Sequence, residues 1–361
     1  MNEKNVNLNK GIALLAVAAM FLMAFIGWKM YSNKQISALK NEPGNIELAT
    51  KQQKQPLKRD ELKIGFITDV HCYAKQNKET SEWELNWRCA NPMNAFVKKM
   101  NDEFNPDIVL EGGDLADGRD DRTFKTFLEI KELYDRIDAP CYHVLGNHEV
   151  DNFPRSQWLE TMGYKKAYYS LDVDNYRIIV LDGNYKPLPN GESVGVEPGN
   201  KYYPGLIGKK QMEWLEDLLK RSEKFTKLVF VHQPPIDVST IRDRGELMLN
   251  AKQVRDLFSK YKVKAVFSGH IEEFCSLHKD DVQYYVIQGF LKNNRRLKKV
   301  DRFKDAGVFS ELTINDNIEV KVYYTDGEKN GSYKSMILNQ ETAVCNDSSV
   351  SFAKEQDEQK R

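Results

Sequence analysis

Five short apolar runs in this chain each end at a side chain able to bind a metal, and this series constrains the fold more than any other feature. Ile64 to Thr68 runs into Asp69 and His71, and Ile108 to Leu110 into Gly112-Gly113-Asp114. Cys141 to Leu145 runs into Gly146-Asn147-His148-Glu149, Leu228 to Val231 into His232, and Ala265 to Phe267 into Gly269-His270. Short apolar runs bounded by turn residues read as buried strands. Helical periodicity lies between them. Ala95, Phe96, Val97, Met100 and Phe104 share one face after the helix-start pair Asn91-Pro92. Phe124, Phe127, Leu128, Ile130 and Leu133 do so within 123–137, and Met212, Leu215, Leu218 and Leu219 within 209–221. Alternating strands and helices give an α/β core, where loops at the carboxyl ends of strands converge on one crevice. Taken singly, an Asp after a strand is a turn residue and a lone His is an ordinary side chain. Together, the ordered carboxylates, amide and imidazoles suit Mn²⁺, Fe²⁺ or Zn²⁺ rather than Ca²⁺ or a thiolate zinc site.

The flanks have a different composition. Residues 1–10 form a polar tail, and residues 11–28 hold no charged side chain. Phe25-Ile26-Gly27-Trp28-Lys29 offers no small-x-small cleavage site, so 11–28 reads as an uncleaved transmembrane anchor. Lys4 and Lys10 precede it and Lys29, Lys34 and Lys40 follow, which leaves the positive-inside rule undecided. The expectation adopted is a single-pass membrane protein with its globular domain on the extracytoplasmic side. Residues 29–60, rich in Lys, Gln and Asn, read as a polar linker; 61–325 as the folded domain; 326–361 as a polar, disordered tail. The 361 residues are 41% hydrophobic, enough for a substantial core, and a net charge of zero gives no reason to expect nucleic acid as a partner. Oligomeric state is not legible. Five scattered cysteines without a CxxC pair argue against a disulfide framework or a thiolate zinc site, although Cys72 and Cys275 flank candidate ligands.

At the ligand-bearing strand ends, over about residues 63–324, the chain resembles the calcineurin-like metallophosphoesterase superfamily. The resemblance implies the metallo-dependent phosphatase fold, a four-layer αββα sandwich holding two divalent metal ions, with Mn²⁺ the first choice and Fe²⁺, Zn²⁺ or Mg²⁺ the alternatives. Carried over, Asp69 and His71 bind the first metal, Asp114 bridges, and Asn147, His232 and His270 bind the second. His148 is then not a ligand but the general acid. The implied reaction is hydrolysis of a phosphodiester or pyrophosphate bond by a hydroxide bridging the metals, with a phosphomonoesterase as the alternative. Purple acid phosphatases carry Tyr three residues after the bridging Asp; here that residue is Asp117, so no ferric tyrosinate is expected.

One position departs from the pattern. The family's usual Gly-His-x-His is here Gly269-His270-Ile271-Glu272. Glu272 is taken as an oxygen ligand of the first metal, favouring a harder ion. If it turns away, the chain becomes a catalytically weak, metal-binding regulatory module. Glu149 either orients an imidazole or is a plain loop carboxylate. A weaker resemblance, through Tyr168-Tyr169-Ser170-Leu171-Asp172, Leu181-Asp182-Gly183-Asn184 and Gln211-x-x-Trp214-Leu215, points to the manganese-dependent ADP-ribose/CDP-alcohol diphosphatase branch. The expected partner is a phosphorylated small molecule, a nucleotide or a lipid head group. Residues 185–206 could act as a lid, and the basic stretch 291–304 could hold phosphate, or both are plain surface loops.

Overall fold

The ligand-bearing runs become strands of two facing sheets in the computed structural model, described over residues 59–118, 122–200, 204–237, 248–290, 307–325 and 333–338. The expected anchor at 11–28, nearly all of the linker, Tyr202-Tyr203, the basic stretch 291–304 and most of the expected tail lie outside the described residues. Among the described residues, no helix is long and apolar enough to cross a membrane.

The first sheet contains β1 (Leu62–Ile67), β4 (Ile108–Glu111), β5 (Cys141–His143), β14 (Gly307–Ile314), β15 (Ile318–Thr325) and β16 (Tyr333–Leu338), in the order β16-β15-β14-β1-β4-β5. The second contains β6 (Tyr169–Val173), β7 (Tyr176–Leu181), β10 (Thr226–Val231), β11 (Val263–Ser268), β12 (Cys275–Lys279) and β13 (Val282–Val286), in the order β12-β13-β11-β10-β7-β6. β1, β4 and β5 run parallel in one sheet, and β7, β10, β11 and β13 in the other, so their carboxyl ends gather at one edge. Two hairpins stand outside the sheets: β2 (Ala74–Gln76) with β3 (Trp83–Leu85), and β8 (Tyr185–Pro187) with β9 (Ser193–Gly195).

Three apolar layers fill the gaps. Between the sheets lie Leu62, Ile64, Phe66, Ile178, Phe230, Phe267 and Leu312. Phe66 and Phe230 have ring centroids 5.6 Å apart, and Phe230 stacks on Phe267 at 5.0 Å. Full burial of a ring of this size contributes roughly 1.5–3 kcal/mol. Helices α1 (Trp87–Lys99) and α2 (Thr123–Tyr134) cover the outer face of the first sheet with Phe96, Phe127 and Ile130. The second sheet is covered by α5 (Lys209–Lys220) and α6 (Ala251–Lys260), through Leu215, Leu219, Val254 and Phe258. The short helices α3 (Asn147–Asn152) and α4 (Arg155–Met162) follow β5. The layering is αββα.

Three local expectations change. α1 begins at Trp87 rather than at Asn91-Pro92, so Pro92 sits inside the helix and leaves one helical hydrogen bond unmade. Residues 333–338, expected to be disordered, form β16, because the edge of β15 is open to pairing in the register Val320↔Leu338 to Thr325↔Tyr333. The cysteines also pair. Cys72 and Cys89 form a disulfide across the base of the β2–β3 hairpin, at a sequence separation of 17, and Cys275 is disulfide-bonded as well. The hairpin folds back and brings together two residues that look scattered in sequence. Cys141 is free. Replacing Cys72 and Cys89 together with alanine is expected to lower the unfolding free energy by about 3 kcal/mol, the value for a loop of this length. Urea unfolding measures it, and an unshifted midpoint would refute it.

Candidate metal centre

Every sequence-predicted site residue arrives at the shared strand edge. β1 delivers Asp69 and His71, β4 delivers Asp114, and β5 delivers Asn147 and His148 at the start of α3. β10 delivers His232, while β11 delivers His270 and Glu272. The connecting backbone is strained where the ligands sit: φ is 52° at Asp69, 46° at His71, 60° at Asp114, 68° at His270 and 58° at Glu272. Left-handed residues of this kind cost roughly 1–3 kcal/mol each and gather where a site must aim side chains into a crevice. Gly146 is required by close approach, since a Cβ there would lie 2.2 Å from both the Asp114 amide nitrogen and its Oδ1.

The candidate ligands form three overlapping groups: Asp69, His71 and Glu272; Asp114, His232 and His270; and His71, Asp114 and His148, with each group's ligand atoms within 4.8 Å of one another. His71 Nε2 faces Glu272 Oε1 at 3.6 Å, Asp69 Oδ1 at 3.8 Å and Asp114 Oδ2 at 3.9 Å. Neither His71 ring nitrogen has a hydrogen-bond partner, although both are buried. These distances are too long for hydrogen bonds but suit oxygens and a nitrogen turned toward one shared point. His232 Nδ1–H donates to the Gly112 carbonyl at 2.8 Å, which turns Nε2 toward Asp114 Oδ2 and Asn147 Oδ1, each 3.1 Å away. Asn147 Oδ1 also lies 2.8 Å from His270 Nδ1. Asp69 is held by Thr68 Oγ1 at 2.6 Å and by the His270 amide at 3.0 Å. The buried, convergent oxygen and imidazole donors fit divalent metal ions.

Charge is concentrated here. Burial opposes protonation of His71, but the Glu272, Asp114 and Asp69 carboxylates outweigh it and hold the imidazole at about 10. Burial likewise opposes protonation of His232, yet Asp114 and Asp69 raise it to about 10. Asp114 is pushed up by burial, but His232, His148 and His71 hold it well below the carboxylate range.

His148 belongs to the third of the ligand groups but also has a carboxylate partner of its own. Its amide donates to Asp114 Oδ1 at 2.8 Å, and its Nε2 lies 4.0 Å from Asp114 Oδ2. Its Nδ1–H donates to Asp117 Oδ1 at 3.0 Å. Burial opposes its protonation, but Asp114 and Asp117 together raise it. The link to Asp117 was missed in the sequence, where position 117 served only to exclude a tyrosinate. The available signal was the three-residue spacing after Asp114.

Glu149 orients no imidazole. Its carboxylate accepts the amides of Asp114 at 3.0 Å, Leu115 at 2.8 Å and Gly146 at 3.1 Å, tying the β4 loop to α3. Burial, then Asp114, raises it to about 7. The weaker motifs also turn out to be braces. The Gln211 side chain clamps Asp182 through its backbone amide at 2.9 Å and carbonyl at 2.8 Å. Asn184 Nδ2 donates to the Leu145 carbonyl at 2.7 Å, two residues before Asn147, and Gln233 Nε2 donates to Asn184 Oδ1 at 2.7 Å.

The calcineurin-like phosphoesterase family model matches residues 62–273. A manganese-dependent ADP-ribose/CDP-alcohol diphosphatase of Oryza sativa subsp. japonica is 26% identical over 210 residues, covering 48% of this chain and 65% of the relative. The chain therefore spans just under two thirds of that relative's length. A probable glycerophosphodiester phosphodiesterase GpdQ of Arcobacter nitrofigilis is 29% identical over 217 residues, covering 57% of this chain and 70% of the relative. The crystal structure of a dimetal phosphatase from Danio rerio superposes with a TM-score of 0.56 at 16% identity, covering 75% of this chain and 96% of that one; it supports the fold alone.

Proposed function

The chain belongs to the calcineurin-like phosphoesterases, and on that premise we propose that it is a metal-dependent hydrolase of a phosphodiester or pyrophosphate bond in a nucleotide or polar head-group ester. The observation that carries this reading is the division of labour at the crevice: seven residues gather oxygen and nitrogen donors there, and one imidazole, His148, has its Nδ1 committed to a carboxylate of its own, Asp117. Asp69, His71, Asp114 and Glu272 would hold a first ion, and Asp114, Asn147, His232 and His270 a second, with Mn²⁺ the ion favoured by this donor set. Divalent cations there supply Lewis-acid charge and activate water as the nucleophile. Asp117 fixes the His148 ring so that Nε2 faces the crevice, where it donates a proton to the leaving oxygen. The choice of bond is supported by relatives described as diphosphatase and diester phosphodiesterase.

The regulatory-module alternative depends on Glu272 turning away. Glu272 Oε1 instead lies 3.6 Å from His71 Nε2, which favours an assembled site. Metal-stripped protein reloaded with Mn²⁺, Mg²⁺ or Zn²⁺ and offered CDP-choline, ADP-ribose, bis-p-nitrophenyl phosphate and p-nitrophenyl phosphate tests the proposal. Faster turnover of the diesters or diphosphates supports it. Preference for the monoester makes the protein a phosphomonoesterase, and metal uptake without turnover makes it a regulatory module.

Changing Asp117 to asparagine removes one of the two carboxylates that raise His148 and leaves the other, Asp114, in place. A general acid works while protonated, so the alkaline limb of the pH–rate profile is expected to move to lower pH, with kcat down about tenfold. An unmoved alkaline limb would free His148 from Asp117.

The proposal extends to location: a single membrane anchor at 11–28 with the catalytic domain outside the cytoplasm. The Cys72–Cys89 disulfide supports an oxidising compartment. Protease accessibility of the catalytic domain in intact cells checks it, and full protection there would place the domain inside.

A further inference from the structure

β7 ends at the same edge as the ligand-bearing strands, yet no candidate ligand follows it. Asp182-Gly183-Asn184 follows instead, and Asp182 and Asn184 are fully buried, as is Gln233 after β10. A buried polar side chain costs stability unless it is paired, so its partners indicate what it holds. Every polar group of Asn184 is paired. Its Nδ2 donates to the Leu145 carbonyl at 2.7 Å, and its Oδ1 accepts from Gln233 Nε2 at 2.7 Å. Its amide donates to Asp182 Oδ1 at 2.9 Å, and its carbonyl accepts from the Val196 amide at 2.9 Å and from Arg155 Nη2 at 2.7 Å. The Leu145 carbonyl can only accept, which fixes the direction of the Asn184 side-chain amide.

These bonds pin one short segment at both ends. Leu145 lies two residues before Asn147, and Arg155, at the start of α4, lies beyond α3 and pairs with Asp182 as well. Asn147 and His148 stand between the two ties. Gln233 follows His232 directly, so Asn184 joins the neighbour of one candidate ligand to the approach of another. A Cβ at Gly183 would overlap Gln233 Oε1, which leaves the Gln233 side chain little room to move. The circuit closes at the site itself, where Asn147 Oδ1 lies 3.1 Å from His232 Nε2. Asp69 and His71 are held differently, through Thr68 Oγ1 and the Asp114 carbonyl.

We propose that Asn184, fixed by Gln233, is a positioning residue for the second metal position. It sets the spacing of Asn147 and His232 across the two sheets, and so raises affinity for that ion without touching ion or substrate. This rests on the two-ion assignment made above and deepens it by naming what holds one position in shape.

Titration of the metal-stripped full chain with Mn²⁺, followed calorimetrically and without substrate, tests the proposal. Asn184→Asp keeps the size of the side chain but sets an oxygen against the Leu145 carbonyl. It is expected to weaken one binding step by about tenfold or more, the step that Asn147→Ala also weakens, and to leave the other unchanged. Gln233→Met removes the donor that orients Asn184 and is expected to weaken the same step by about threefold. It carries the test if Asn184→Asp does not fold. Unchanged affinities overturn the proposal, and so do equal losses at both steps, which a merely structural residue would give. Wild type that takes up no second Mn²⁺ overturns it together with the two-ion assignment. Both ions bound without turnover of any phosphate ester counts against the phosphoesterase reading alone.

Discussion

Replacing His148 with alanine is expected to lower kcat by ~10²–10⁴ while metal content stays at the wild-type level. The retained metal follows from placement. The His148 ring is committed through Nδ1 to Asp117, while the donors meeting across the crevice are completed without it by Asp114, Asn147, His232 and His270. The size of the loss depends on the leaving group. An alkoxide needs a proton as the bond to phosphorus breaks, whereas p-nitrophenolate leaves readily without one. The variant should therefore be hit harder on an alkyl diester than on bis-p-nitrophenyl phosphate. Equal losses on both would mean that His148 acts by charge alone, and metal loss in the variant would make it a ligand.

Metal loading is expected to release about two protons near pH 7, and apparent affinity should rise about tenfold per pH unit at each of the two positions. Without metal, His71 and His232 are each held at about 10 by the carboxylates around them. An imidazole must be neutral to bind a metal, so each must shed its proton on loading. The dependence sets in as pH falls below about 10, where both rings take up protons. From there down, falling pH weakens loading because protons compete for the same nitrogens. Mn²⁺ titrations in buffers of different ionisation enthalpy count the protons directly. A heat independent of buffer would show that both rings are already neutral in the metal-free protein.

Much of this arrangement was legible because strand ends are simple objects. An apolar run must be buried, and the first polar residues after it must appear at the sheet edge, so Asp69, Asp114, Asn147, His232 and His270 could be placed on one crevice without knowing the sheet order. What stayed hidden depends on register between segments distant in sequence. Asp117 meets His148 only because α3 crosses the β4 loop at one height. Glu149 reads as a polar loop residue until the amides of Asp114 and Leu115 are seen pointing at it. Cys72 and Cys89 look unrelated until a hairpin folds between them. β16 has no strong alternation of its own and is recruited by the open edge of β15. Glu272 was the doubtful ligand on paper, because glutamate is an unusual substitute for imidazole; the left-handed backbone at 272 is what points it at His71.

The ligands are shared between two halves whose contact is mostly apolar, with a few hydrogen bonds such as Tyr176 Oη to the Ile314 carbonyl and Asn184 Nδ2 to the Leu145 carbonyl. Asp69, His71, Asp114 and Asn147 hang from one sheet, and His232, His270 and Glu272 from the other. Cations bound between them act as rivets across a seam. Their removal leaves imidazole–carboxylate contacts such as His232 with Asp114, and the Asn184 hydrogen bond, to hold one end of the sandwich, while the apolar packing at the other stays intact. Amide hydrogens of 69–72 and 113–117 should then exchange quickly in the stripped protein and slowly in the loaded one, while those of β1 and β10 stay protected in both. Chelation would unzip the sandwich from one end before it melts.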